Sequence, residues 1–221
     1  MARLARVVVP GAPHHIIQRG VNDEQVFMSD DDYKLYIELM SEWCAKHKVK
    51  VLAYALMPNQ VQLVVVPKTA NGLARAIGEA HRRYARTVNT RENWAGYLWH
   101  GRFQSYPLDT AHTLPACAYV ERRPQATGAA KTARTYKWSS AKAHLNGKDD
   151  ALVTVAPMLK KAKGGWGDVI KGKDDADMAK ALESHLSTGR PLGSDKFLDK
   201  VEAQLGRTLR PQKRGRKPKK G

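Results

Sequence analysis

Apolar residues dominate Val49 to Val66, interrupted at Pro58-Asn59, a dipeptide that punctuates chains. The pattern predicts a strand over Val49–Leu56, a short turn, and a strand over Gln60–Val66, paired as a hairpin. In the second strand Gln60, Gln62 and Val64 alternate with Val61, Leu63 and Val65, so the two amides share a face. By periodicity that face reads as a solvated edge, since paired amides in a core need partners. Pro13–Gly20 predicts an earlier strand, with His14 and His15 on opposite faces. His15 is a candidate DNA contact. Ser29 and three aspartates open a helix whose stripe of Tyr33, Tyr36, Ile37, Met40, Trp43 and Cys44 ends near His47. Thr69–Thr90 predicts a second helix with Leu73, Ile77, Ala80, Tyr84 and Val88 inward. A short strand over Arg102–Leu108 follows. Asp109 then caps a helix over Thr110–Arg123, which Pro124 is expected to end. Strand, helix, hairpin, helix, strand and helix make an α+β chain.

Beyond Asn146 the pattern weakens until helices predicted over Asp174–Leu186 and Asp195–Leu205. The predicted organisation is a main domain over residues 1–145, a linker and helical module over 146–210, and a basic tail over 211–221. Cys44 and Cys117 sit in apolar patterns and read as reduced, buried thiols, which with the lack of a signal-peptide core leads to an expected cytoplasmic location.

Charge changes the picture. With 38 Lys and Arg against 21 Asp and Glu, the formal charge is +17, a field that favours polyanions. The second helix carries Arg75, Arg82, Arg83, Arg86 and Arg91 with only Glu79 among them. Solvation and phosphate contact explain that face equally well. Trp94–Phe103 is rich in aromatics, Gly and Arg, suited to stacking on splayed bases or to packing over the sheet. The tail has six Lys and Arg and no acid, including Arg214, Arg216 and Lys217. Candidate nucleic-acid contacts are Arg19, Arg82, Arg83, Arg86, Arg102, Arg190, Arg214, Arg216 and Lys217. They mark a nucleoid-associated protein with DNA as partner.

Met57-Pro58-Asn59-x-Val61-x-Leu63, the Pro13-His14-His15…Gln18-Arg19-Gly20 start and the Leu98-Trp99-x-Gly101-Arg102-Phe103 segment resemble the REP-associated tyrosine transposases, a branch of the single-tyrosine transposases of bacterial insertion sequences. The resemblance implies a ferredoxin-like sandwich: an antiparallel sheet with helices on one face plus a tyrosine-bearing helix, a small helical C-terminal module and a basic tail. It implies a monomer acting on single-stranded or hairpin DNA. It places the nucleophile on Tyr119 and a divalent Mg or Mn at the two x positions and at the residue before Pro124. Here those positions are Gln60, Gln62 and Arg123, where the family carries two histidines and a polar side chain. An amide oxygen binds a hard cation weakly, and a guanidinium repels it. The first expectation is therefore a DNA-binding protein whose metal-dependent cleavage is lost or impaired. The second is an active Mg- or Mn-dependent strand transferase that forms a 5′-phosphotyrosine through Tyr119. An RNA-hairpin binder ranks third, because no aromatic RNP-type motif is present.

Overall fold

The computed structural model describes residues 5–172 and 176–211. Its sheet has four strands, β1 (His14–Arg19), β2 (Val49–Met57), β3 (Gln60–Pro67) and β4 (Gln104–Pro107). They lie in the order β2-β3-β1-β4, and every pairing is antiparallel. With α1 (Asp30–Lys46) between β1 and β2 and α2 (Gly72–Glu92) between β3 and β4, this is the βαββαβ plan of a ferredoxin-like sandwich.

The period-two pattern decides which side each helix takes. Ile16, Leu63, Val65 and Leu56 face α1 and α2 in one core with Tyr36, Met40, Ile77 and Tyr84. Ile17, Val64, Ala55 and Tyr106 belong to a second core on the opposite face. That face is covered by α3 (Thr110–Ala126), α6 (Trp166–Lys171) and α7 (Ala176–Thr188). Three further helices are α4 (Ala141–Asn146), α5 (Ala156–Leu159) and α8 (Asp195–Leu205). Val201 of α8 packs on Val7 and Val9 of the N-terminal segment.

Two expectations change. β3 is a central strand, so the face with Gln60 and Gln62 is not a solvated edge: α3 and α7 roof it, and Gln62 is only 2% exposed. Pro124 does not end α3, which runs on to Ala126. Proline forfeits its own N–H bond and crowds the carbonyl four residues back, yet the Thr127 N–H still reaches the Arg123 carbonyl at 2.9 Å, so the last turn closes past it.

A buried cluster ties α3 to the chain that follows. The Glu121 carboxyl takes bonds from Ser140 Oγ and from Trp166 Nε1 at 2.7 Å, and lies 2.6 Å from His144 Nδ1. The His144 ring stacks on Trp166 with centroids 4.0 Å apart. Glu121→Ala would strand three polar partners away from water, so it should lose about 4 kcal/mol of unfolding free energy. A urea titration reads this directly; a loss under about 1 kcal/mol would show that the cluster is dispensable.

Candidate functional site

Register alone brings the polar positions of the second face together. Gln62 lies opposite Ile17 of β1 and Ala55 of β2, while Gln60 lies opposite Arg19 and Met57. His15 sits one step further along β1, opposite Val64 and Tyr106. The Gln62, His15 and Tyr106 side chains form a chain of contacts. His15 Nε2 is 3.3 Å from Gln62 Oε1, and His15 Nδ1 is 2.9 Å from the Tyr106 hydroxyl, which donates to the Leu182 carbonyl of α7 at 2.8 Å. Burial pushes the His15 pKa down to about 4, so the ring is neutral near pH 7. His15 is fully buried, which removes it as a DNA contact.

Tyr119 projects from α3 over this row, its ring edge-on to His15 at 6.1 Å. Its hydroxyl donates to Glu183 Oε1 of α7 at 2.8 Å. One turn on, the Arg123 guanidinium lies 5.1 Å from the Tyr119 ring centroid and 3.7 Å from the Glu183 carboxyl. Arg123 Nε and Gln60 Oε1 are both buried without a hydrogen-bond partner among the described residues. Gln60, Gln62, Tyr119 and Arg123 therefore converge on one place, as a strand pair and an overlying helix dictate. His15, expected only as a DNA contact, completes it together with Tyr106 and Glu183, which the sequence does not single out. Alternation along Gln104, Tyr106 and Leu108 carries the signal for Tyr106; nothing local marks Glu183, which arrives on a helix some sixty positions later.

The donor set is a poor cradle for a divalent cation. Its oxygens are neutral amides, one of them already against His15, and its third position is a guanidinium. Among the described residues no group of three His, Cys, Asp or Glu could hold a metal ion.

The basic candidates divide. Arg19 and Arg102 line one groove of about 350 Å³ at the end of β1, with Gln104 and His100. Arg82, Arg83 and Arg86 are exposed on α2, whose apolar stripe packs under the opposite face of the sheet. Arg82 pairs with Glu79 at 2.6 Å, and Arg83 stacks over Trp43 at 4.7 Å. Arg190 follows α7, with Nη1 buried and without a hydrogen-bond partner among the described residues. Arg214, Arg216 and Lys217 lie outside the described residues. In the aromatic loop Leu98, Trp99 and Phe103 are core residues, while Trp94 and Tyr97 stay exposed.

Residues 9–123 match the family model for IS200-like transposases, more than half of the chain. The protein belongs to this family. The fold agrees with a solved REP-associated tyrosine transposase bound to a REP hairpin: TM-score 0.54 and 13% identity, covering 70% of this chain and 92% of that one. A provisionally assigned transposase of Deinococcus radiodurans R1 aligns at TM-score 0.37 and 18% identity, over 54% of this chain and 95% of that one. No curated protein matches. Within this IS200-like chain no described helix is long and apolar enough to cross a membrane.

Proposed function

We propose that this IS200-like chain binds single-stranded or hairpin DNA as a monomer at the nucleoid, with metal-dependent cleavage lost or impaired. One observation supports the reading: Tyr119 lies over the sheet beside Gln60, Gln62 and Arg123, two neutral amides and a cation that suit a divalent metal poorly. The charge of +17 and the exposed arginines at Arg19, Arg82, Arg83, Arg86 and Arg102 support attraction to the phosphate backbone. Arg190 and the tail residues Arg214, Arg216 and Lys217 add to that field. The solved relative with its REP hairpin supports the choice of a hairpin as substrate.

Fluorescence anisotropy with a labelled DNA hairpin tests it. Neutralising about four phosphates should weaken binding roughly a hundredfold between 50 and 200 mM salt. No binding at 50 mM salt would overturn the proposal. A matched RNA hairpin that competes better than DNA would redirect it to RNA.

One feature favours a second reading, an active transferase. The Tyr119 hydroxyl is 2.8 Å from a carboxyl oxygen, the spacing of a nucleophile and its base, and Gln60 Oε1 is an unspent acceptor. A Tyr119-dependent covalent DNA adduct on a denaturing gel separates the two.

A further inference from the structure

Where α1 ends and β2 begins, the sandwich leaves an open seam. β2 is an edge strand, and from Val51 onward its outer side is covered. Val51 bridges to Val153, its carbonyl accepts from the Thr154 N–H at 3.0 Å, and Ala55 bridges to Ser139. Val49 and Lys50 have no such bridge among the described residues. The pairing with β3 is also irregular here, stepping past Leu52 between Val51 and Ala53. A groove of about 770 Å³ lies at this corner, lined by Cys44 and Ala45 of α1, Val49 and Leu52 of β2, Val66 of β3 and Leu152.

Its chemistry is one-sided. The floor is aliphatic, and among the described residues no aromatic ring and no acid lines it. Lys48, Lys50 and Lys68 stand around it. All three are exposed, and none of their side chains has a hydrogen bond or ion pair among the described residues. They gather at one end, because the Lys68 N–H donates to the Lys48 carbonyl at 3.1 Å and Lys50 pairs with Val66. Lys48 sits just past the C-cap of α1 with φ 53°, a left-handed position that favours glycine. A side chain there costs about 1 kcal/mol. A backbone outlier of this kind points to a use for the side chain rather than to stability. Edge lysines serve to keep another strand away, but that role does not call for an aliphatic floor beside them. Like charge excludes two occupants from this chain. A second copy presenting this face brings the same lysines, and the tail over 211–221 has six Lys and Arg and no acid. A nucleic acid brings phosphates but little aliphatic surface, and the groove has neither an aromatic ring for a base nor an arginine fork.

We propose that this groove docks a short segment of a partner protein in which a few aliphatic residues adjoin a run of acids. The aliphatic side chains lie along Val49, Leu52, Val66 and Leu152, and the carboxylates reach Lys48, Lys50 and Lys68. Val66 stands at the far end of β3 from Gln60, so the docked segment lies roughly 20 Å from the Tyr119 site and leaves it open.

The test is anisotropy on the full chain at about 0.1 M salt with labelled peptides. The probes are Leu-Val-Leu-Asp-Glu-Asp and the reversed order Asp-Glu-Asp-Leu-Val-Leu. One control replaces each aliphatic residue by serine, and the other replaces the acids by their amides. At least one probe should bind about tenfold tighter than either control. Lys50→Glu together with Lys68→Glu should remove that gain. Lys48→Gly deletes a charge and the left-handed strain at once, so it should weaken the probe about threefold while the protein melts no lower. Ala45→Trp, at an exposed position of α1, should fill the groove and block the probe with every charge in place. Thermal melts of each variant confirm that it is folded. Failure of both probes to bind would overturn the proposal, as would a serine control that binds as tightly or a gain that survives the charge reversal. A DNA hairpin that displaces the probe would also overturn it and assign the lysines to phosphate contact.

Discussion

Lowering the pH from 7 to 4 should unfold this protein through buried histidines, His14 and His81 together with His15 of the site, well before its carboxylates are all protonated. His14 accepts the Val9 N–H at Nε2 (3.1 Å), and its Nδ1 lies 2.9 Å from the Ala12 carbonyl, an arrangement only the neutral ring satisfies. His81 is held against the Tyr36 hydroxyl at 2.7 Å and under Trp99, with Arg6 adding repulsion. Burial pushes the first down to about 4 and the second to about 3, from 6.5. The folded pKa values lie below the unfolded ones, so the unfolded chain binds more protons at acid pH. The stabilisation is complete above about pH 6.5 and is withdrawn as pH falls toward 4 and 3. At 1.36 kcal/mol per pH unit for each ring, His14 and His81 together lose about 4 kcal/mol by pH 5 and His15 about 2 more, a large share of the 5–15 kcal/mol of a typical domain. Denaturant midpoints at pH 7, 6, 5 and 4.5 measure it. A flat profile across that range would show that the rings take up protons without opening the core. His81→Phe, which cannot titrate, should be less stable at pH 7 yet fall off less steeply.

The same acid series has a second, lower limb. Burial works against the Asp32 carboxylate, yet bonds from Arg91 and from the Met28 and Ser29 N–H groups hold its pKa below the usual value. Its contribution is present at neutral pH and is lost only below the ordinary carboxylate range. A biphasic profile with the histidine limb first is the expected shape.

These histidines also show what the chain made legible. His14 and His15 were separable by alternation alone, and they do face opposite cores. The strands and the two long helices follow from periods of two and 3.6, because apolar stripes must be buried wherever they fall. What periodicity withheld was the second layer. The stretch from Asn146 to Gly172 has too few apolar residues for a regular pattern, yet Trp166 and Ile170 lie in the core with Cys117 and Val120. Short helices such as α5 and α6 owe their existence to that packing, not to propensity. The misplaced edge face at Gln60 and Gln62 has the same origin. A strand alone cannot say what roofs it, and the roof here comes from α3 and α7, far away in sequence. The site was half readable for this reason. Motif positions supplied Gln60, Gln62, Tyr119 and Arg123, and strand alternation could have supplied Tyr106, while Glu183 reaches the site only through tertiary structure.

Mixed with single-stranded hairpin DNA and Mn, then run on a denaturing gel, the protein should form no Tyr119-linked adduct, whereas Gln60→His, Gln62→His and Arg123→Asn together should restore one. Attack on a phosphodiester needs positive charge fixed at the non-bridging oxygens. Two amides contribute none, and Arg123 is already engaged with Glu183 and the Tyr119 ring. The three changes exchange neutral amides for imidazoles and remove the cation that opposes a metal, so adduct should rise at least about a hundredfold. Adding Tyr119→Phe to the triple variant should abolish it. Gln62→His places an imidazole beside neutral His15, a volume-conserving exchange at a site that already accepts a ring on one side. A Tyr119-dependent adduct in the unaltered protein would establish the active transferase in place of the binding-only reading. Hairpin binding without adduct in either protein would show that Glu183, whose carboxyl holds the Tyr119 hydroxyl, keeps the nucleophile from the phosphate. Glu183→Gln in the triple background would then be the change that releases it.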